Sequence, residues 1–198
     1  MFIYHKIIIE MKRFFLRQPV LFILTILFSQ VCFAQVNDGK PLQKVVIIRH
    51  GEKPETGENL SCQGLNRSIQ LANVLYAKFK IPDYIFVPSI KTGKSTGQIR
   101  MYQTITPFAV KYNLNIDTKY MVNDAPGLAA SILKKSGTIL VVWEHNNIPQ
   151  IVQALGVKDY SLKWKGDDFD SIWIITFKNG KAVLTPDKEN LNPSTACN

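Results

Sequence analysis

Three observations predict an α/β domain arranged as a three-layer α/β/α sandwich around a mostly parallel central sheet. Two aliphatic runs, Lys44 to Ile48 (KVVII) and Thr138 to Trp143 (TILVVW), lack the polar alternation of a half-exposed strand, so both read as strands buried on two faces. Segments with helical periodicity lie between the apolar runs, giving the order strand, helix, strand, helix, strand that parallel sheets require. Each buried run also ends abruptly in charged residues, Arg49-His50-Gly51-Glu52 and Glu144-His145-Asn146-Asn147. Ligands of open α/β sheets bind at such carboxyl ends.

The elements follow in order. Gly64 to Phe79 carries apolar residues at Leu65, Ile69, Ala72, Leu75, Tyr76 and Phe79, a helical spacing with Ser61 as its cap. Tyr84 to Val87 reads as a second strand closed by Pro88 and Ser89. The next helix runs from about Thr96 to Tyr112 with Ile99, Tyr102, Ile105, Phe108, Ala109 and Tyr112 inward, and Pro107 either kinks it or starts a second helix. Asp124 caps a helix over Gly127 to Lys135, and Ile148 to Leu155 forms a short one. Ser171 to Phe177 and Ala182 to Leu184 flank Asn179-Gly180, a strong hairpin signal. Gly166 to Asp170 is a local acidic loop with no assigned use.

The 198 residues, 46% hydrophobic and 20% charged, can build one real core and exclude disorder. The first 34 distort the totals. Lys6, Lys12, Arg13 and Arg17 precede the apolar stretch Val20 to Phe28, followed by the small-residue-containing segment Ser29 to Ala34, the order of a secretory signal peptide. Met11 is an alternative start, and an uncleaved anchor is the competing reading, although this nine-residue stretch is short for a span of roughly 20. A cut after Ala34 removes four bases and one acid and leaves 164 residues at +6, with residues 35–43 a linker and 44–198 the domain. The expected location is periplasmic or secreted, without stable membrane association after cleavage. Export leaves two cysteines, Cys62 and Cys197, which either pair or remain separate thiols.

Lys91 to Gly97 (KTGKSTG) superficially resembles a phosphate-cradling loop, but the glycine required five residues before Gly93 is Pro88. It reads as an ordinary loop. The mature lysines are scattered without a recognised motif, so nucleic acid is not an expected partner.

Export also removes His5 and leaves His50 and His145, each directly after a buried strand. Adjacent parallel strands would bring these two together, and otherwise they are unrelated loop histidines. The residues around them narrow that choice. Arg49-His50-Gly51 resembles the Arg-His-Gly signature of the histidine phosphatase, or phosphoglycerate mutase-like, superfamily, here a small exported bacterial member. Leu60 to Ser68 (LSCQGLNRS) is similar to the family's L-x-x-x-G-x-x-R-A helix start, Arg100 to Ala109 to its R-x-x-Q-T-x-x-P-x-A segment, and Trp143 to Pro149 to its second-histidine motif.

The resemblance implies a metal-independent phosphomonoesterase, without cofactor, acting on a small phosphorylated substrate. His50 would attack phosphorus and become a phosphohistidine that water hydrolyses, splitting one hard displacement into two easier ones. Arg49 and Arg100 would bind phosphoryl oxygens bidentately, and His145 would donate to them as charge redistributes. Gly51 is expected where backbone approaches the phosphate closely. The proton donor to the leaving alcohol is Glu52 or Glu144 with equal standing, and Asp124 third; partial burial without a close cation would identify it. Arg67 is expected to cap or salt-bridge its helix.

The sequence departs from the pattern in two places. Arg100 lies eleven positions after Ser89, with Lys91 and Lys94 placed to widen a basic rim, and Met101 follows the arginine. The mature chain also has little room for a large lid, which implies a shallow pocket and disfavours a dedicated sugar-phosphate mutase. The competing function is a non-catalytic phosphate- or phosphoglycan-binding module on the same fold.

Overall fold

The computed structural model describes residues 42–93 and 96–197. The leader at 1–34, most of the linker and Lys94 lie outside the described residues.

Five strands form one sheet: β1 (Leu42–Arg49), β2 (Tyr84–Phe86), β3 (Gly137–Trp143), β4 (Ser171–Lys178) and β5 (Lys181–Lys188), in the order β2-β3-β1-β4-β5. β3 pairs in parallel with both β1 and β2, whereas β4 is antiparallel to β1 and to β5. Four strands therefore point one way and β4 is reversed. The β4–β5 turn is the two-residue Asn179-Gly180 hairpin, with φ of 50° and 74°, the left-handed values that suit strand twist and that asparagine and glycine tolerate.

Successive residues of β1 point to opposite faces, and both faces are covered. Val46 and Ile48 pack with Leu71 and Leu75 of α1 (Cys62–Phe79) and with Met101, Ile105 and Phe108 of α2 (Ile99–Tyr112). Val45 and Ile47 pack with Leu128 and Ile132 of α3 (Ala125–Ile132) and Ile148 and Ile151 of α4 (Ile148–Ala154). This is the three-layer sandwich, and it explains why β1 and β3 read as unbroken apolar runs.

Two helical details differ from the periodicity. The inward face of α1 is Gly64, Arg67, Ser68, Leu71, Ala72 and Leu75, while Leu65, Ile69 and Tyr76 are exposed. The helix is turned by about one residue, because a glycine and an arginine occupy inward sites that hydrophobicity alone assigns to solvent. α2 runs through Pro107 as one helix, so Pro107 does not start a second. Its inward set includes Met101 and Thr104, with Ile99, Tyr102 and Tyr112 only half-buried.

Cys62 and Cys197 are disulfide-bonded, closing a separation of 135 residues, and Asn66 Nδ2 donates to the carbonyls of Ser194 and Ala196 beside them. The bridge ties the tail to the first turn of α1. Reduction is expected to lower unfolding free energy by about 2–4 kcal/mol, chiefly by freeing the unfolded chain. Thermal unfolding with and without reductant measures it, with Cys62→Ser/Cys197→Ser as the reductant-insensitive control.

Candidate active site

The parallel β1–β3 ladder places Arg49 opposite Trp143, and the His50 amide extends it by donating to the Trp143 carbonyl at 3.1 Å. Arg49-His50 and Glu144-His145 thus leave the sheet side by side at the carboxyl ends of adjacent strands.

His50 is 5% exposed, and its Nδ1 lies 2.7 Å from the Gly51 carbonyl. A carbonyl only accepts, so Nδ1 carries the proton and Nε2 keeps its lone pair. Burial, opposed by the Gly51 hydrogen bond and helped by Arg49, Arg100 and His145, brings the His50 pKa down to about 4. The ring is neutral at physiological pH, with one nitrogen free to act as a nucleophile.

Packing requires glycine at 51. A Cβ on Gly51 would lie 2.9 Å from the Gly64 carbonyl, and one on Gly64 would lie 2.3 Å from the Glu52 carbonyl. The tight approach is between the histidine loop and the first turn of α1. Ser61 completes the joint: its amide and hydroxyl donate to the Glu52 carbonyl, and its hydroxyl accepts from Gly64 N as the helix cap. Thr104 supports the loop from α2, accepting from Gly51 N at 2.9 Å and donating to the Arg100 carbonyl.

Arg49 is 2% exposed and burial brings its pKa down to about 10, countered by Asp168 and Glu144, so it stays charged at neutral pH. Its Nε is buried with no hydrogen-bond partner among the described residues. Arg100 is half-buried at the start of α2, donating from Nε to Asn59 O and from NH2 to Gly57 O. Gln103 holds the same loop through Leu60 N and Asn59 Oδ1.

His145 completes the cluster, with its Nδ1 also buried and unpartnered. The Glu144 carboxylate lies 4.0 Å from that nitrogen, an electrostatic contact too long for a hydrogen bond. Burial and Arg49 lower the His145 pKa, while Glu144 opposes them.

The three carboxylates have different surroundings. Both Glu52 oxygens accept from Arg67 Nε at 3.0 Å, and Oε1 also accepts from NH2 at 2.8 Å. Arg67 NH1 reaches Glu189 at 2.6 Å, so Glu52, Arg67 and Glu189 form a buried ionic triad. Asp124 caps α3 by accepting from Gly127 N. Glu144 is half-buried, accepts from the side chains of Asn146 and Asn147, and forms no ion pair with an arginine or lysine among the described residues.

Sequence reasoning missed the roles of Thr104, Glu189 and the loop 165–169. Thr104 lies in a quoted motif, but nothing in its spacing indicates that its hydroxyl reaches Gly51. Glu189 lies 122 residues from Arg67 and carries no local signal.

No protein-family model matches the chain, and no curated protein matches it in sequence. Solved structures do share its fold. The protein histidine phosphatase SixA complexed with tungstate matches at a TM-score of 0.56 with 16% identity, over 74% of this chain and 97% of that one. A phosphoserine phosphatase mutant from Entamoeba histolytica in complex with phosphoserine matches at 0.52 with 14% identity, over 74% and 96%. A phosphoglycerate mutase from Plasmodium falciparum matches at 0.52 with 14% identity, over 74% and 90%. The chain shares the α/β fold of these two phosphatases and this mutase.

Proposed function

We propose that the protein is an exported, metal-independent phosphomonoesterase that works through a phosphohistidine on His50. The observation carrying this reading is a buried, neutral His50, with Nε2 free and Arg49, Arg100 and His145 around it. Charge of that sign suits a phosphoryl group, and the neutral imidazole suits attack on it. The tungstate and phosphoserine bound to two of the similar structures support a small phosphorylated substrate.

In the first step Nε2 forms a bond to phosphorus as the ester oxygen leaves. The Nδ1 proton stays on its carbonyl acceptor, which keeps the ring oriented. Arg49 and Arg100 balance the oxygens, and His145 donates where charge gathers. Glu144 is the proton donor in this reading, since Arg67 occupies Glu52 and a helix cap occupies Asp124. In the second step water attacks phosphorus and gives its proton to Glu144 as the bond from Nε2 to phosphorus breaks, so inorganic phosphate leaves and both His50 and Glu144 are restored.

Turnover quenched under denaturing alkaline conditions should leave one phosphoryl group per chain, stable to base, lost in acid and mapped to His50 by mass spectrometry. Activity should persist with excess chelator. A protein that hydrolyses p-nitrophenyl phosphate without ever carrying phosphate, or that binds inorganic phosphate and hydrolyses no member of a broad ester panel, would refute the covalent reading or the enzymatic one respectively.

A further inference from the structure

The acidic loop after Trp164 is built around Arg49. Arg49 NH1 donates to Gly166 O at 2.7 Å and Asp168 O at 3.1 Å, with Lys165 O at 3.4 Å. That nitrogen has two hydrogens, so these carbonyls use it fully. The guanidinium lies on the ring of Phe169, with Cζ 3.8 Å from the centroid, and the same ring meets His50 in a T-shaped arrangement at 6.1 Å.

The loop is rigidly made. The Asp168 carboxylate accepts from the amides of Asp170 and Ser171 and from the Ser171 hydroxyl. Trp164 Nε1 donates to Asp168 O, the carbonyl that also serves Arg49, and Trp164 packs on Trp173 of β4. The only route for Arg49 to bind a tetrahedral oxyanion bidentately is then its remaining edge, which includes the buried and unpartnered Nε.

We infer that Phe169, together with the carbonyls of Gly166 and Asp168, is a positioning clamp that presents the Nε edge of Arg49 to the phosphoryl group. The ring fixes the plane of the guanidinium and the carbonyls fix its rotation within that plane. Phe169 acts through Arg49 and is a positioning residue. A planar cation held over an aromatic face is specific to the ring, and an aliphatic side chain of similar bulk does not reproduce it. The inference rests on the phosphatase reading for its catalytic consequence, while its binding consequence stands apart from turnover.

The test compares Phe169→Leu with Phe169→Tyr in the full mature protein, measuring kcat and KM for p-nitrophenyl phosphate, calorimetric affinity for inorganic phosphate, and Tm without ligand. Phe169→Leu should lose about tenfold in kcat/KM and weaken phosphate binding in step, on the scale of a desolvated cation–π contact. Phe169→Tyr should restore both to within about threefold, and the ligand-free Tm of the two variants should agree. Wild-type phosphate affinity and kcat/KM in Phe169→Leu would overturn the clamp, as would equal losses in both variants. An inactive wild type that still binds phosphate more weakly on Phe169→Leu would refute the phosphatase reading and leave the clamp standing.

Discussion

Alanine at His50 should reduce p-nitrophenyl phosphate turnover by a factor on the order of 10³ or more, the scale on which a covalent nucleophile is missed. The variant should still bind inorganic phosphate, because Arg49, Arg100 and His145 remain. The wild-type pH profile is the companion measurement. Only the unprotonated ring attacks, and burial, with Arg49, Arg100 and His145 beside it, brings its pKa to about 4. The acid limb of kcat/KM, which reports the free enzyme, should therefore fall near pH 4 and not near the ordinary histidine value of 6.5. A limb at 6.5 that His50→Ala abolishes would show an exposed, unperturbed imidazole and contradict the site. The same depression has a stability sign: the unfolded chain takes up this proton at a higher pH, so His50 contributes a loss of stability as pH falls from 6.5 towards 4.

The second large effect is structural. Arg67→Ala should cost about 3–5 kcal/mol of unfolding free energy, because it leaves the buried Glu52 without its cation and Glu189 without its hydrogen-bond donor. Denaturant titration measures this, and an effect below about 1 kcal/mol, the size of an exposed pair, would show that water reaches the triad. Activity should fall as well, since Glu52 carries the backbone that joins His50 to α1. Within the triad, burial pushes Glu189 up to about 8 despite the pull of Arg67, and its Oε1 is buried without a partner. The unfolded carboxyl titrates near 4.5, so the stability from the retained proton is fully present below that pH and is lost as pH rises through 8. Glu189→Gln should remove this slope between about pH 4.5 and 8, with the smallest change in stability below pH 4.5.

Much of the arrangement was legible because it is local. The unbroken apolar runs of β1 and β3 reported burial on two faces, Ser61 and Asp124 marked helix starts, and Asn179-Gly180 marked the hairpin. Arg49, His50 and His145 were legible because the turn that follows a buried strand determines where such residues emerge. The face of α1 was not, since Gly64 and Arg67 are buried for reasons that lie on other elements: a close approach to Glu52 in one case and an ion pair with Glu189 in the other.

Residue type and spacing along the chain were enough for the layered α/β class, the order of elements and the two histidine-bearing strand ends. Each of these follows from patterns within a few turns of chain. Long-range packing alone brings Cys62 to Cys197, pairs Arg67 with Glu52, leaves Glu144 hydrogen-bonded to Asn146 and Asn147 beside His145, and sets the loop 165–169 against Arg49. The pairings of Cys62, Arg67 and Arg49 join residues 15 to 135 positions apart. Charge and hydrogen-bond partners act through distance in space, and periodicity along the chain carries no record of it.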